Sequence, residues 1–452
     1  FTWLEADPPA WMEPTFVLDE GEWSDSARHH QLFGSYFADS IGVGFLMAPL
    51  YNWLVELLYG LFGIGLRQVR LLPAISNVLS TLLVTAFLWK KENYRIALIT
   101  FGLLCLSPFY WAYSRLAFIE GSQLFFIVTS FVFWFGMPYS RTAALAAGIS
   151  ASAAVLMKPS AVYSCILPLL CAAILLYILD DQRHRASLNN LILRLALFLA
   201  GGMVGAAILF IFVILPHWDI YWETLRYQGG TGQRPMINFL TIPGSAMLSL
   251  RGGDPAIWHP FLFAPLIWVS AWGTLLWHLY LSGGKYIGYL RQMPRLERSI
   301  LIFSLFQVSI LLLRSWKWNS DHYYYPVIPF LAMSGSFAIE RILRSESLAP
   351  VNTRPTYIHR FVSVLVFLLP AFVLTKPFFT QIIQSQIAGL NVGRSLGMSV
   401  YANATLFAVA FCMAIGLIAI RMSLHSRLIH RGQIALVLIS MVAEIILMAT
   451  YF

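Results

Sequence analysis

Twelve stretches of about 20 mostly apolar residues follow one another along this 452-residue chain, and they constrain its fold more than any other feature. Such a stretch matches the hydrocarbon thickness of a bilayer, where only helices and closed barrels satisfy every backbone polar group. Charged residues are 11% of the chain, whereas a soluble protein has about 25%. We therefore predict an all-α polytopic membrane protein. The predicted spans are residues 70–89, 95–113, 119–137, 141–157, 159–179, 190–216, 258–281, 299–315, 323–343, 358–375, 401–420 and 433–452.

The net charge of +9 reflects membrane topology and does not predict a nucleic-acid partner, because Lys and Arg accumulate in cytoplasmic loops. Of the 30 Lys and Arg residues, 18 lie in loops on one side of the predicted helices, and 30 − 18 = 12 remain. We assign the richer side to the cytoplasm, which puts the acidic N-terminal segment outside. The sequence begins at Phe1 without a visible signal peptide, so we expect an upstream helix, which would make thirteen.

Three regions follow from this pattern. Residues 1–69 form an outer-face first loop, in which residues 35–66 are predicted to be short helices lying at the membrane interface. Residues 70–345 form a transmembrane core that includes a long outer loop at 217–257. Residues 346–452 add the C-terminal helices.

The four cysteines lie in apolar runs and form neither a disulfide framework nor a metal-binding pattern. The sequence shows no P-loop, GxGxxG, HExxH or GxSxG context. No metal ligands are therefore predicted, although a divalent metal stays open as a cofactor. The chemistry has to be sought in the charged residues of the outer face.

The acidic residues concentrate near the start of the chain, where eight of the 21 Asp and Glu residues lie between Glu5 and Asp39. A solvated segment explains most of them. Asp19 and Glu20 differ, because an apolar triplet precedes them and the membrane domain follows. A carboxylate at a membrane face with apolar neighbours can serve as a general base, and we predict this role for Asp19, with Glu20 beside it.

Further charged residues cluster at the outer ends of the predicted helices. Arg115 and Glu120 could pair with each other, and Lys158 could extend to the interface. The aromatic residues of the long outer loop are more typical of an interfacial belt than of a sugar-binding surface. The outer-face candidates are the acids Asp19, Glu20 and Glu120 with the substrate-binding candidates Arg115, Lys158, Arg226, Arg314, Lys317, His322 and Tyr323.

An outer-face carboxylate together with several cations suits group transfer from a lipid phosphate. Lys and Arg would neutralise the charge that develops on the leaving phosphate. The carboxylate would accept the proton of an acceptor hydroxyl. This chemistry needs no nucleotide, which agrees with the missing nucleotide motifs.

Several short motifs, taken in order, resemble the lipid-phosphate-sugar-dependent glycosyltransferases of the GT-C superfamily. The most similar groups are the protein O-mannosyltransferases and the bacterial aminoarabinose transferase that modifies lipid A. One departure is Gly21-Glu22-Trp23, which stands where many relatives carry Ala-Arg-Tyr. The motifs are Asp-Glu at 19–20, Pro-Leu-Tyr at 49–51, Arg-Leu-Leu-Pro at 70–73, Arg to Glu at 115–120, Lys-Pro at 158–159 and Tyr-x-x-Pro at 323–326.

The resemblance implies an inverting enzyme that moves a sugar from a polyprenyl-phosphate carrier to an acceptor glycan, lipid or protein, with Asp19 as the base. It also implies membrane-lipid contacts and a multi-pass location in the bacterial inner membrane, with the active site facing the periplasm. A transporter or flippase of a lipid-linked or anionic substrate is the competing class, and it would place charges near the bilayer midplane in interrupted helices. A membrane scaffold would explain the helices but not the outer-face charges.

Overall fold

The computed structural model describes residues 15–37, 43–180, 185–230, 286–314 and 321–343, together with scattered positions between 264 and 282. All regular elements among these residues are helices, so the all-α prediction is confirmed. The α-helices are α1 (Thr15–Phe33), α2 (Val43–Met47), α3 (Pro49–Phe62), α4 (Leu66–Lys91), α5 (Tyr94–Leu106), α6 (Pro108–Arg115), α7 (Ile119–Gly136), α8 (Arg141–Met157), α9 (Leu167–Leu179), α10 (Arg185–Leu209), α11 (Trp218–Gly230), α12 (Tyr286–Gln292), α13 (Arg295–Arg314) and α14 (Ile328–Leu343).

Shorter helical turns extend several of these elements. The π-helical turn Val162–Ile166 leads directly into α9. A second π-helical turn, Phe210–Ile214, and a 3-10 turn, Leu215–His217, connect α10 to α11 without a break. The first part of the segment predicted as a long outer loop is therefore helical, and the remainder lies outside the described residues. A 3-10 helix, Asp321–Val327, precedes α14.

Membrane-spanning helices occur where the sequence predicts them. Four described helices are long and apolar enough to cross a membrane, and a bent pair would make a fifth. The predicted spans 141–157, 299–315 and 323–343 are also helical, as α8, α13 and the end of the 3-10 helix with α14. The three C-terminal spans and most of span 258–281 lie outside the described residues. The four long spans are Leu66–Lys91, Ile119–Gly136, Val162–Leu179 and Leu188–Thr224.

One predicted span is divided. Residues 95–113 form two helices, α5 and α6, whose axes meet at 71°. The break lies at Pro108, which has no backbone N–H and cannot continue a preceding helix. The Ser107 hydroxyl accepts a hydrogen bond from the Tyr110 backbone N–H at 3.3 Å and thereby caps the start of α6. Residue 108 is accordingly the first residue of a new helix.

The segment that carries Asp19 and Glu20 is helix α1, whereas helices were predicted in this region only over residues 35–66. Helix α1 is held against α3 by Asn52, which lies on α3 and is fully buried. The Ala27 backbone N–H donates to Asn52 Oδ1 at 3.0 Å, and Asn52 Nδ2 donates to the Ala48 carbonyl at 3.0 Å. These bonds satisfy the buried amide. The hydropathy of residues 15–33 does not reveal them, because the partner comes from another helix.

The connection after α1 is held by a second polar cluster. His30 Nδ1 lies 2.8 Å from Glu56 Oε1, the Tyr36 hydroxyl donates to the other oxygen of Glu56, and the His30 and Tyr36 rings stack at 4.0 Å. Burial, followed by the Glu56 carboxylate, raises the pKa of Tyr36. The phenol therefore stays protonated and remains a donor. Together with Asn52, this cluster attaches the C-terminal half of α1 and the turn after it to α3.

Helices α4 and α7 run parallel, and this fixes the two ends of the bundle. A Cβ atom on Gly121 would lie 2.8 Å from Pro73 Cβ, and one on Gly136 would lie 2.8 Å from Phe87 Cε2. The two close approaches are separated by 15 residues, or about 22 Å at 1.5 Å per residue. Lys90, at the end of α4, therefore lies at the opposite end of the bundle from Glu120.

The end of the bundle near Lys90 is held by buried ion pairs. Glu297 Oε2 lies 2.5 Å from Arg341 Nη2, and its other oxygen lies 3.2 Å from His278 Nε2. Arg298 pairs with Asp180. Burial, followed by the Glu297 carboxylate, raises the pKa of Glu92 at the end of α4, and Arg341 lowers it. These residues belong to the face predicted as cytoplasmic, away from the candidate site.

Candidate functional site

A buried ion pair lies at the other end of the bundle, between two of the predicted site residues. Glu120 is in the first turn of α7, and Lys158 directly follows the last residue of α8. The Lys158 ammonium contacts Glu120 Oε1, and the two residues are only 7% and 1% exposed. Since α7 and α8 form an antiparallel hairpin, the two charges reach the same end although 38 positions separate them.

The backbone of Lys158 is held by the same helix that supplies its partner. Gln123, one turn after Glu120, donates from Nε2 to the Lys158 carbonyl at 2.7 Å and to the Ala154 carbonyl at 3.0 Å. The Ser160 hydroxyl lies 3.5 Å from Gln123 Oε1. Helix α7 therefore fixes Lys158 by its side chain through Glu120 and by its main chain through Gln123. The sequence analysis missed Gln123, although its spacing of three from Glu120 on a helix was a usable signal.

Trp23 of α1 covers the ion pair. The Lys158 Nζ atom lies 4.9 Å from the centroid of the Trp23 ring, within the range of a cation–π interaction. Trp23 is half-buried and packs against the apolar cluster formed by α1, α3 and the ends of α7 and α8. The contact brings helix α1 against the membrane bundle at the position of the Lys158–Glu120 pair.

Asp19 and Glu20 lie on α1, before Trp23. Position 19 precedes Trp23 by four residues, which is one helical turn, or about 6 Å along the axis. Residues four apart are neighbours on one side of a helix. The structure thus brings the backbone of the predicted base to the neighbourhood of Lys158 and Glu120, while the side chains of Asp19 and Glu20 lie outside the described part.

Arg115 ends α6 at the same end of the bundle and is 2% exposed. Its helix is anchored by a buried aromatic and amide cluster. The Tyr325 hydroxyl donates to Asn77 Oδ1 and lies 3.2 Å from the Tyr110 carbonyl, and the Tyr110 and Tyr325 rings stack at 5.3 Å. This cluster attaches the 3-10 helix Asp321–Val327 to α4 and α6. His322 and Tyr323 therefore lie in a 3-10 helix that is fixed against α6, the helix that ends at Arg115.

The remaining predicted site residues are less closely defined. Arg226 lies on α11 and is exposed. Arg314 is the last residue of α13, and His322 and Tyr323 lie in the 3-10 helix, but their side chains are outside the described part. Lys317 lies outside the described residues altogether. Within the described residues, no group of three His, Cys, Asp or Glu side chains is arranged to hold a metal ion.

A family model for dolichyl-phosphate-mannose-protein mannosyltransferases matches residues 27–226 of this chain. The matched stretch includes Arg115, Glu120, Lys158 and Arg226 and begins after Asp19. No curated protein matches the sequence. The match confirms the resemblance to the protein O-mannosyltransferase group that the motifs indicated.

Three solved structures are similar to this chain. ArnT from Cupriavidus metallidurans bound to undecaprenyl phosphate has a TM-score of 0.55 and 17% identity, over 95% of this chain and 71% of that one. Its apo form has a TM-score of 0.49 and 17% identity, over 94% and 72%. An Archaeoglobus fulgidus oligosaccharyltransferase tethered with an acceptor peptide has a TM-score of 0.46 and 12% identity, over 79% and 50%. The likeness to the first structure confirms a polytopic fold of the GT-C type.

Proposed function

We propose that this protein is a membrane glycosyltransferase that moves a sugar from a polyprenyl-phosphate carrier to a hydroxyl group of a glycan, lipid or protein acceptor. The observation that carries the proposal is the buried Lys158–Glu120 pair under Trp23, one turn from the position of Asp19. Buried charges inside a membrane protein are costly and mark functional sites. The mannosyltransferase family model and the ArnT fold, solved with undecaprenyl phosphate, support the same reaction class.

The proposed reaction is a single displacement with inversion at the anomeric carbon. Asp19 accepts the proton of the acceptor hydroxyl while that oxygen forms a bond to the anomeric carbon. The bond between the anomeric carbon and the phosphate oxygen breaks, and its electron pair stays on the phosphate. The products are the glycosylated acceptor and polyprenyl phosphate. A carboxylate suffices as base because the acceptor proton becomes acidic only as the new bond forms.

The cations of this end of the bundle would stabilise the leaving phosphate. We assign the phosphate contacts to Arg314, Lys317, His322 and Tyr323, and we assign further substrate contacts to Arg115, Lys158 and Arg226. Glu120 compensates the charge of the buried Lys158 ammonium at contact distance. Fixed cations that need no reorganisation during the reaction are the usual source of such stabilisation.

The expected location follows from the topology. Glu120 and Lys158 lie at the end opposite Lys90, in agreement with the predicted outer position of the site. We propose that this end faces the periplasm of a bacterial inner membrane. The sugar would then be added outside the cytoplasm, where a lipid-bound donor is available and a nucleotide sugar is not needed.

A transfer assay tests the proposal. Purified protein in lipid nanodiscs is given polyprenyl-phosphate hexose or pentose donors, and the release of polyprenyl phosphate is followed with and without acceptor. Asp19→Asn keeps the shape and removes the charge, and it should lower turnover by about 10²–10⁴-fold, as expected for the loss of a general base. Asp25→Asn is the matched control, because Asp25 lies on the same helix and forms an exposed ion pair with Arg28 at 2.8 Å.

Two outcomes would contradict the assignment. If Asp19→Asn turns over as fast as the parent protein, the base is another acid, and Glu20 and Glu120 are the next to replace. If no donor is consumed by the parent protein, the enzyme class is wrong. The interrupted pair α5–α6 is the feature that favours a transporter, since transporters use broken helices at their sites. Movement of intact labelled donor across proteoliposomes without its cleavage would establish that alternative.

A further inference from the structure

We propose that Trp23 is a positioning residue, which docks the base-bearing helix α1 onto the Lys158–Glu120 pair through its cation–π contact with Lys158. The inference rests on the proposed function, because it assigns Trp23 a role in the same site. Its starting observation is the 4.9 Å distance between Lys158 Nζ and the Trp23 ring centroid. Trp23 touches Lys158 and acts on the reaction through the helix that carries Asp19.

The contact is formed with a poorly hydrated cation. The side chain of Lys158 is 8% exposed, and its charge is compensated by Glu120. A cation–π interaction is stronger when the cation is desolvated than when it is exposed to solvent. The Trp23 contact belongs to the stronger class, so it is large enough to influence where α1 lies.

The other described contacts of α1 with α3 lie after Trp23 along the helix. Ser24 forms a side-chain hydrogen bond with Tyr59, and the Ala27 backbone N–H donates to Asn52. The His30 contact with Glu56 lies further along, near the C-terminal end of α1. Trp23 is thus the described contact nearest to position 19, and it lies on the same side of the helix as Ala27, since four residues make about one turn.

Without this contact, the described attachments of α1 begin at Ser24. The turn with Asp19 could then move relative to Lys158 and Glu120, while the fold of the membrane bundle stays intact. Small displacements of a catalytic group lower turnover strongly, because the reaction requires a defined attack geometry. We therefore expect replacement of Trp23 to lower kcat and to leave the KM for the lipid donor nearly unchanged.

The test is a double-mutant cycle. Trp23→Leu, Trp23→Phe, Lys158→Met and the two combined variants are compared for kcat and donor KM at equal amounts of folded protein. Trp23→Leu should lower kcat about tenfold or more, the change that a loss of about 1.4 kcal/mol produces. Trp23→Phe, which retains an aromatic face, should recover most of this loss. In the Lys158→Met background, Trp23→Leu should change kcat by less than about twofold, since coupled residues are not additive.

Trp134→Leu is the matched control, because Trp134 forms a cation–π contact of 4.4 Å with buried Arg194 at the other end of the bundle. Its kcat, calculated per amount of folded protein, should equal that of the parent protein. Equal losses from Trp23→Leu in both backgrounds, or a Phe variant as poor as the Leu variant, would overturn the proposal.

Failure of the proposed function gives a different result. If the parent protein consumes no lipid-phosphate donor, the enzyme class is wrong, and the cycle is then measured on the thermal unfolding midpoint. Midpoint shifts that are not additive for Trp23 and Lys158 support the docking contact. Additive shifts refute it, whatever reaction the protein performs.

Discussion

The Lys158–Glu120 pair allows the structural and catalytic roles of buried charges to be separated. Removing one partner of a buried ion pair leaves an uncompensated charge and costs about 3–5 kcal/mol. The upper part of this range applies to Lys158→Met, because Glu120 is 1% exposed and cannot recover water. Glu120→Gln keeps a hydrogen-bond acceptor for the ammonium and should cost less. Both single variants should therefore unfold at a lower temperature than the parent protein.

The double variant Glu120→Gln/Lys158→Met has no unpaired charge, and replacement of a buried pair by neutral groups is often neutral or stabilising. Its unfolding midpoint should return close to that of the parent protein. Its turnover should not return, because the site then lacks the Lys158 charge that we place beside the leaving phosphate. Midpoints are read by scanning fluorimetry in one detergent, and turnover is read as release of polyprenyl phosphate from the lipid donor.

The double variant decides between the two roles. If it is as stable and as active as the parent protein, the pair only holds the α7–α8 hairpin together, and the site lies elsewhere. Gln123→Leu is the matched control, since it removes the side-chain bonds to the Lys158 and Ala154 carbonyls without changing a charge. Both carbonyls keep a backbone N–H partner, so the variant should lower stability only by about 0.5–1.5 kcal/mol per lost hydrogen bond, and it should lower turnover less than the double variant does.

Two further predictions concern the rest of the bundle. The pKa of Glu92 is raised in the folded protein by burial and by Glu297, so its ionisation destabilises the fold as pH rises from the unfolded-state pKa through the folded-state pKa. Glu92→Gln should therefore raise the unfolding midpoint at neutral pH and lose this advantage in acid, and an equal effect at both pH values would contradict the shift. Single cysteines placed at Asp25 and Lys90 in a background without native cysteines should react with membrane-impermeant maleimide from opposite sides; labelling from the same side refutes the topology.

The long apolar spans were predictable because the bilayer thickness sets their length, and runs of apolar residues of that length can be recognised in the sequence. Helices α4 and α7 extend predicted spans or match them within a few residues. The division of span 95–113 was missed, although Ser107 and Pro108 carry the chemistry of a helix start. The mean hydropathy of a window of residues does not show that the helix axis changes direction within that window. Hydropathy thus predicts which residues enter the membrane better than it predicts their path.

Helix α1 could not be predicted by the same reasoning. Residues 15–33 are polar and have no apolar stripe, which is typical of a solvated loop. Their position in the fold depends on contacts with Asn52, Glu56 and Lys158, which all lie on other elements. Tertiary contacts of this kind override weak local preferences. The segment that carries the predicted base was therefore the part of the site whose local structure the sequence described least well.

The ion pair between Glu120 and Lys158 could be predicted from the sequence, although the two residues are far apart in it. Sequence proximity suggested Arg115, five positions away, and the structure shows an ion pair with Lys158, which joins residues 38 positions apart. That pairing follows from a simple count. Two consecutive helices of 18 and 17 residues return the chain to the face from which it started. A charge in the first turn of α7 and a charge just after α8 must then lie at the same depth, where an unpaired charge is costly. Charges that flank a helical hairpin on one face of a membrane protein are therefore natural partners, and Gln123, one turn after Glu120 on α7, holds the returning end in register.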